Sequence, residues 1–230
     1  MGGNGARYAG LVFDMDGTLI DSPMDFAAMH QAAREIAAGL GVPTESLEGK
    51  RFLYQMSAAV HEWLGPRAPE KVRTYEEELE ERLDRIELAA LSGVHVLPGA
   101  EETLAEMAGA GLALGLLTRS CEPFATAALE QTGLRRFFPV VSTRNTPGPR
   151  KPDPRSLWNV LERMGVPGHR AAYIGDRALD LTCARDASVD FVGVVWPGKN
   201  VPEREREFAA GGGCTIVRSF PELLEEVLRR

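Results

Sequence analysis

Short apolar segments that alternate with helical patterns constrain the fold of this chain more than any other feature. Each segment is apolar on both faces and is followed by polar or turn residues. Strands of this kind are typical of parallel sheets that helices cover on both sides. The predicted strands are residues 10–13, 112–117, 139–142, 171–174, 191–195 and 214–217. The alternation predicts an α/β fold with a doubly wound, Rossmann-like parallel sheet.

One long gap interrupts this alternation, between the first and second predicted strands. A crossover between parallel strands needs about a dozen residues, whereas residues 14–111 separate these two. The gap contains helical patterns with one apolar stripe each. The stripes are Phe26, Met29, Ala33, Ile36 and Leu40 in one segment and Val72, Tyr75, Leu79, Ile86 and Ala90 in the other. We therefore expect an all-α insertion at residues 21–95, within an α/β core formed by residues 1–20 and 96–230.

Composition and charge narrow the class of protein. Of the 230 residues, 44% are hydrophobic and 26% are charged, which is ordinary for a globular protein. The formal net charge of −7 disfavours a nucleic-acid-binding surface, because phosphate backbones are bound by clustered Lys and Arg. The sequence has no apolar run of about 20 residues and no signal-peptide pattern at its start. We expect a soluble cytoplasmic protein, monomeric or homodimeric, with no nucleic-acid or membrane partner.

Two aspartates directly follow the first predicted strand, in Asp14-Met15-Asp16-Gly17-Thr18-Leu19. Because side chains alternate along an extended chain, Asp14 and Asp16 can point to the same side. Crowded carboxylates repel each other, so one is pushed toward its neutral form unless a cation intervenes. The pair therefore fits a nucleophilic carboxylate beside a neighbour that donates and accepts a proton. Taken alone, it also fits a loop with two solvated acids.

A hydroxyl and an ammonium group follow later predicted strands. Thr118 comes directly after residues 112–117, and its hydroxyl can donate to a phosphate oxygen. Lys151 precedes Asp153 and Pro154, which are predicted to cap and begin a helix. The positive end of that helix would lie near Lys151, whose ammonium group could neutralise an anion. Each residue alone also fits a strand-end threonine or a surface lysine.

A second pair of acids, Asp176 and Asp180, follows the predicted strand at residues 171–174. Ligands of open α/β sheets bind outside the carboxyl ends of the strands. These acids would therefore form an oxygen-rich edge that faces Asp14 and Asp16, although helix capping alone would also explain them.

As a set and in this order, these segments resemble the four motifs of the haloacid dehalogenase (HAD) superfamily: DxDGTL, the strand-end Thr, the Lys of KPDP, and GDxxxD. The resemblance covers the whole predicted core. The insertion resembles the α-helical cap of the phosphoglycolate phosphatase and β-phosphoglucomutase branch. The resemblance implies Asp14 as the nucleophile that forms an aspartyl-phosphate and Asp16 as the general acid and base.

The same resemblance implies the remaining roles. Thr118 and Lys151 would hold the phosphoryl group. Mg²⁺ would be bound by Asp14, the backbone carbonyl of Asp16, and Asp176, with Asp180 supporting or sharing this role. The implied substrate is a small phosphorylated metabolite. The chain departs from the family at Arg119, where many relatives carry Asn or Gly, and at Arg177, where Ser is common.

Several alternatives remain open from the sequence. Arg119 could add a cation to the phosphate site. In the insertion, Lys50 and Arg51 could bind a second anionic group of the substrate, or they could simply be a charged helix start. We expect a phosphatase, with a β-phosphoglucomutase-like phosphomutase as an alternative and a non-catalytic binding protein on the same fold as another.

Overall fold

The computed structural model describes residues 7–198 and 201–229. Its strands, in chain order, are β1 (Gly10–Phe13), β2 (Ile20–Asp21), β3 (His95–Val96), β4 (Ala113–Leu117), β5 (Val140–Ser142), β6 (Ala171–Gly175), β7 (Asp190–Val194) and β8 (Thr215–Val217). Its α-helices are α1 (Phe26–Gly39), α2 (Leu53–Leu64), α3 (Pro69–Ala89), α4 (Ala100–Gly109), α5 (Glu122–Gln131), α6 (Pro154–Met164), α7 (Ala178–Asp186), α8 (Val201–Ala210) and α9 (Phe220–Leu228). Short 3₁₀ helices occupy Thr44–Leu47, Leu91–Gly93, Leu134–Phe137 and Gly168–Arg170.

Six parallel strands form the main sheet, in the order β5-β4-β1-β6-β7-β8. Leu11, Val12 and Phe13 of the central strand β1 are fully buried, as expected for a strand that is covered on both faces. The predicted α/β doubly wound fold is therefore confirmed. All six predicted strands are present, with ends that differ by no more than one residue from the predicted ones.

A two-stranded antiparallel ribbon, β2 with β3, was not predicted. Each strand is only two residues long, too short for an alternating pattern to be seen in the sequence. Ile20 pairs with Val96 and Asp21 with His95. The ribbon joins the chain just after the Asp14–Thr18 segment to the chain just before α4.

The chain divides into two compact units, one formed by the residues up to Ser22 together with those from Val94 onward, and the other by Pro23–Gly93. The second unit contains α1, α2 and α3. Its buried core includes Met29, Ile36 and Tyr75 from the predicted stripes. Phe26 is an exception, since it is 46% exposed. It is the first residue of α1, and helical side chains lean toward the N-terminus, so no preceding turn lies beneath it.

One face of the main sheet is covered by α6 and α7. The buried cluster there includes Val12, Val160, Tyr173 and Ala184. Because this apolar layer fixes the sheet, the polar residues that follow β1, β4 and β6 are held at one edge, where the strands end.

Candidate active site

The turn after β1 places two aspartates in different surroundings. The backbone N–H of Asp14 donates to the carbonyl of Ile174 over 2.9 Å, which extends the pairing of β1 with β6 by one residue. Gly17 then turns the chain with a φ of +82°, a value that glycine adopts without strain. The turn also lies directly against the carboxylate of Asp176. A Cβ at Gly17 would come within 2.6 Å of Oδ2 of Asp176, so glycine is needed here for a second reason.

The ammonium group of Lys151 connects the acids of two motifs. Its Nζ donates to Oδ1 of Asp14 over 2.6 Å, to Oδ1 of Asp180 over 2.8 Å and to the Tyr173 hydroxyl over 2.8 Å. These bonds account for the three hydrogens of a lysine ammonium group. Lys151 is only 3% exposed. The predicted cap of α6 is confirmed, because the Asp153 side chain accepts from the backbone of Arg155 and Pro154 begins the helix.

Three buried carboxylates lie close enough together to hold a metal ion. Asp14, Asp176 and Asp180 each offer one oxygen, and these oxygens lie within 4.8 Å of one another. Oδ1 of Asp176 is buried and has no hydrogen-bond partner among the residues that the structure describes. A buried carboxylate oxygen left in this way needs a compensating partner. Oxygen donors of this kind are what a hard divalent cation such as Mg²⁺ takes, so the residues present fit the ion.

Burial dominates the electrostatics of two of these acids, Asp14 and Asp176. It raises the pKa of Asp14 to about 7, although the positive charge of Lys151 opposes the shift. It raises the pKa of Asp176 to about 6, opposed by Arg204 and Arg177. Burial lowers the pKa of Lys151, but the carboxylates of Asp14 and Asp180 outweigh it and leave that pKa above its usual value. Burial thus makes the charged forms of Asp14 and Asp176 costly, and a bound cation would offset that cost.

Asp16 lies outside this cluster of side chains. Its Oδ1 accepts a hydrogen bond from the Ser22 hydroxyl over 2.6 Å, and its side chain is half-buried. The three acids that can share an ion do not include its carboxylate. The sequence prediction assigned Asp16 to the metal only through its backbone carbonyl.

The predicted phosphate-binding residues lie on adjoining segments. Thr118 is buried, and its hydroxyl oxygen lies 3.2 Å from Oγ of Ser120 and accepts from the backbone of Ser120 over 3.1 Å. Arg119 is half-buried, and its Nη1 donates to the backbone carbonyl of Lys151 over 2.6 Å. Arg119 thus connects the Thr118 segment to the Lys151 segment.

Lys50 and Arg51 lie in the other compact unit, between the 3₁₀ helix Thr44–Leu47 and α2, and both are exposed. The guanidinium of Arg51 lies over the ring of Phe52, 5.5 Å from its centre.

Sequence reasoning missed two residues at the site. Tyr173 is fully buried, and its hydroxyl contacts both Lys151 and Asp180. It looks like an ordinary apolar residue of β6. Arg204 lies on α8 with its Nη2 3.2 Å from Oδ2 of Asp176. In the sequence it is one of several charges in a polar helix, and no local signal separates it from its neighbour Arg206.

Comparison with protein families decides the family. The family described as haloacid dehalogenase-like hydrolase matches residues 11–194. The chain belongs to this family. The resemblance that the four motifs indicated is therefore confirmed, and this HAD-like hydrolase carries its family's motifs at one edge of the sheet.

Curated relatives are named as phosphatases. Phosphoglycolate phosphatase of Pseudomonas syringae pv. tomato is 33% identical, over 96% of this chain and 77% of that protein. Phosphoglycolate phosphatase of Agrobacterium fabrum is 32% identical, over 85% of this chain and 84% of that protein. Together with the family match, these relatives support a phosphatase enzyme.

Solved structures share the fold. A predicted phosphoglycolate phosphatase from Haemophilus somnus superposes with a TM-score of 0.63 at 17% identity, covering 97% of this chain and 99% of that one. A HAD family hydrolase from Deinococcus radiodurans, solved with bound phosphate and sodium, gives 0.63 at 21% identity, covering 96% and 97%. No helix among residues 7–198 and 201–229 is both long and apolar enough to cross a membrane.

Proposed function

We propose that this HAD-like hydrolase is a Mg²⁺-dependent phosphatase that hydrolyses a small phosphorylated metabolite through a phosphorylated Asp14. The observation that supports this most strongly is the buried group in which Lys151 bonds to Asp14 and Asp180 while Asp176 keeps one oxygen without a partner among the described residues. Such a group suits phosphoryl transfer, which depends mainly on positioning and on neutralising charge.

The proposed metal ligands are Asp14, Asp176 and Asp180 with the backbone carbonyl of Asp16. When bound, Mg²⁺ would offset the negative charge of these carboxylates and of the substrate phosphate. Lys151 would add a further positive charge beside Asp14 and, with the Thr118 hydroxyl, would hold the phosphoryl group. Arg119 is proposed to contribute to the same phosphate site, since it joins the Thr118 and Lys151 segments.

The proposed reaction has two steps at phosphorus. An oxygen of Asp14 bonds to phosphorus as the ester P–O bond breaks, and Asp16 gives its proton to the departing alcohol oxygen. Water then attacks phosphorus, its proton passes to Asp16, and the bond from phosphorus to Asp14 breaks. Inorganic phosphate leaves, and both aspartates return to their starting states.

The test is hydrolysis of p-nitrophenyl phosphate by the purified protein, with Mg²⁺ and then with EDTA. We expect activity only with the metal, and a loss of roughly 10³-fold or more in Asp14→Asn, since removing a covalent nucleophile costs at least that much. Asp186→Asn is the matched control, because Asp186 is an exposed aspartate at the end of α7. Activity that survives EDTA or Asp14→Asn would refute the mechanism.

A substrate panel separates the remaining alternatives. If the proposed function is correct, 2-phosphoglycolate and other small phosphate esters release inorganic phosphate. Isomerisation of glucose 1-phosphate without release of phosphate would identify a phosphomutase instead. Binding of phosphate esters with no turnover would identify a non-catalytic protein.

We further propose that the helical unit Pro23–Gly93 is a cap domain that contributes to substrate choice. Lys50 and Arg51 support this idea, because both are exposed cations in that unit. They would bind a second anionic group of the substrate, such as a carboxylate.

A further inference from the structure

The two oxygens of Asp176 have different partners. Oδ2 lies 3.2 Å from Nη2 of Arg204 and 3.5 Å from Nε of Arg177. Oδ1 has no hydrogen-bond partner within the described part of the chain. The terminal torsion of an aspartate is soft and roughly two-fold, so the carboxylate can rotate unless one oxygen is held. A cation pair on Oδ2 therefore sets where Oδ1 points.

Arg204 is held in turn by the helix that carries it. Its side chain is only 17% exposed, and its Nη1 lies 3.6 Å from Oε2 of Glu207, one turn further along α8. Phe208 on the same helix is fully buried and packs with Leu181 and Val195. The guanidinium group is thus placed by a packed helix and spans two carboxylates, which a planar fork does better than an ammonium group.

We infer that Arg204 is a positioning residue for the metal centre, because it fixes the Asp176 carboxylate so that Oδ1 is presented to the cation. This inference rests on the proposed function, in which Asp176 binds Mg²⁺. Arg204 lies 28 positions after Asp176 in the sequence and outside all four motifs. It would act on the metal only through Asp176.

Arg204 has two opposed effects on a cation. Its positive charge repels a metal ion, and its ion pair with Asp176 orients a ligand. Partners that orient metal ligands are typically worth about 10- to 100-fold in metal affinity. Because Arg204 is already paired with two carboxylates, most of its charge is offset, and the orienting effect dominates.

The experiment measures Mg²⁺ binding directly by isothermal titration calorimetry, without substrate. We expect affinity to fall by about 10- to 100-fold in Arg204→Met. Arg204→Lys should be intermediate, because an ammonium group keeps a positive charge beside Asp176. Arg206→Met is the matched control. Arg206 lies on the same helix, and its Nε donates to the backbone carbonyl of Pro202.

The order of affinities separates the explanations. A Mg²⁺ affinity that decreases from wild type to Arg204→Lys to Arg204→Met supports positioning. The reverse order would show that repulsion dominates, and unchanged affinity would show that Asp176 needs no such support; either result overturns the inference. The melting temperature of each variant is also measured without metal. If Arg204→Met loses Mg²⁺ affinity only in proportion to the fraction of protein that is unfolded, the inference is also overturned.

Activity measurements add a second readout. The Mg²⁺ concentration that gives half-maximal hydrolysis should rise in Arg204→Met, whereas KM for p-nitrophenyl phosphate at saturating Mg²⁺ should change much less. If wild type itself binds no Mg²⁺, the proposed function fails and this inference fails with it. If wild type binds Mg²⁺ and hydrolyses the ester while the Arg204 variants match it, only this inference fails.

Discussion

The hydroxyl of Tyr173 lies 2.8 Å from Nζ of Lys151 and 2.8 Å from Oδ1 of Asp180, so one phenol links the ammonium group to a carboxylate. Tyr173 is fully buried in β6. Its hydroxyl accepts from Lys151 and donates to Asp180. The tyrosine therefore holds together two groups that the family resemblance treats as separate motifs.

Replacing Tyr173 with Phe should destabilise the protein. The change leaves one hydrogen of the buried ammonium group without this acceptor, and such a loss costs about 1–3 kcal/mol. Urea unfolding measures the free energy of unfolding. Tyr75→Phe is the control, because Tyr75 is also fully buried but its hydroxyl lies 3.4 Å from the Ser57 hydroxyl, a much longer contact. Equal effects of the two changes would contradict the role given to Tyr173.

In the metal-free protein, the contribution of Asp14 and Asp176 to the free energy of unfolding should fall as pH rises from about 4 to 7. Burial raises the pKa of Asp14 to about 7 and that of Asp176 to about 6 in the folded protein, above their usual 3.8. Between these values the folded state binds more protons than the unfolded state, so a higher pH favours unfolding. The pKa of Lys151 is also raised, so its charge persists throughout this range.

Urea unfolding in EDTA at several pH values measures this dependence. Wild type should lose stability relative to Asp14→Asn as pH rises from 4 to 7, because the asparagine cannot ionise. Mg²⁺ requires the ionised acids, so its affinity should increase over the same range. A constant difference between the two proteins across this range would contradict the shifted pKa of Asp14.

Much of the fold and the site could be predicted because the signals are local. Three of the four motif segments directly follow an apolar strand, and Lys151 comes shortly after β5, just before α6. The topology of a parallel sheet brings strand ends together. The sequence therefore placed Asp14, Lys151, Asp176 and Asp180 at one edge. Neither Tyr173 nor Arg204 has such a signal. Tyr173 is part of an apolar strand, and the contact of Arg204 with Asp176 depends on how α8 packs.

Replacing Gly17 with Ala should disturb the site more than a typical change at a left-handed glycine. Its φ is +82°, and a Cβ would lie 2.6 Å from Oδ2 of Asp176. The backbone conformation alone costs about 1–2 kcal/mol for a non-glycine residue. The contact with the carboxylate adds to this cost and should weaken Mg²⁺ binding.

Gly41→Ala is a matched control for Gly17→Ala. Gly41 has a φ of +90°, but no atom lies within 4 Å of where its Cβ would be. It should show only the backbone cost in urea unfolding and normal Mg²⁺ binding in calorimetry. If the two variants lose the same stability and both bind Mg²⁺ normally, then the close approach of Gly17 to Asp176 has no consequence.

Lys50→Ala and Arg51→Ala should raise KM for a substrate that carries a second anionic group, such as 2-phosphoglycolate, and leave KM for p-nitrophenyl phosphate nearly unchanged. The physical reason is that only 2-phosphoglycolate has a carboxylate for these cations to bind. A charge-assisted hydrogen bond is worth about 1.5–3 kcal/mol, which corresponds to a roughly 10- to 100-fold change in KM. Arg73→Ala is the control, because Arg73 is a strongly exposed cation in the same unit, paired with Glu77. Steady-state kinetics with both substrates measures the effect. An equal rise in KM for both substrates would place Lys50 and Arg51 in general phosphate binding or folding, and unchanged KM for 2-phosphoglycolate would remove them from substrate choice.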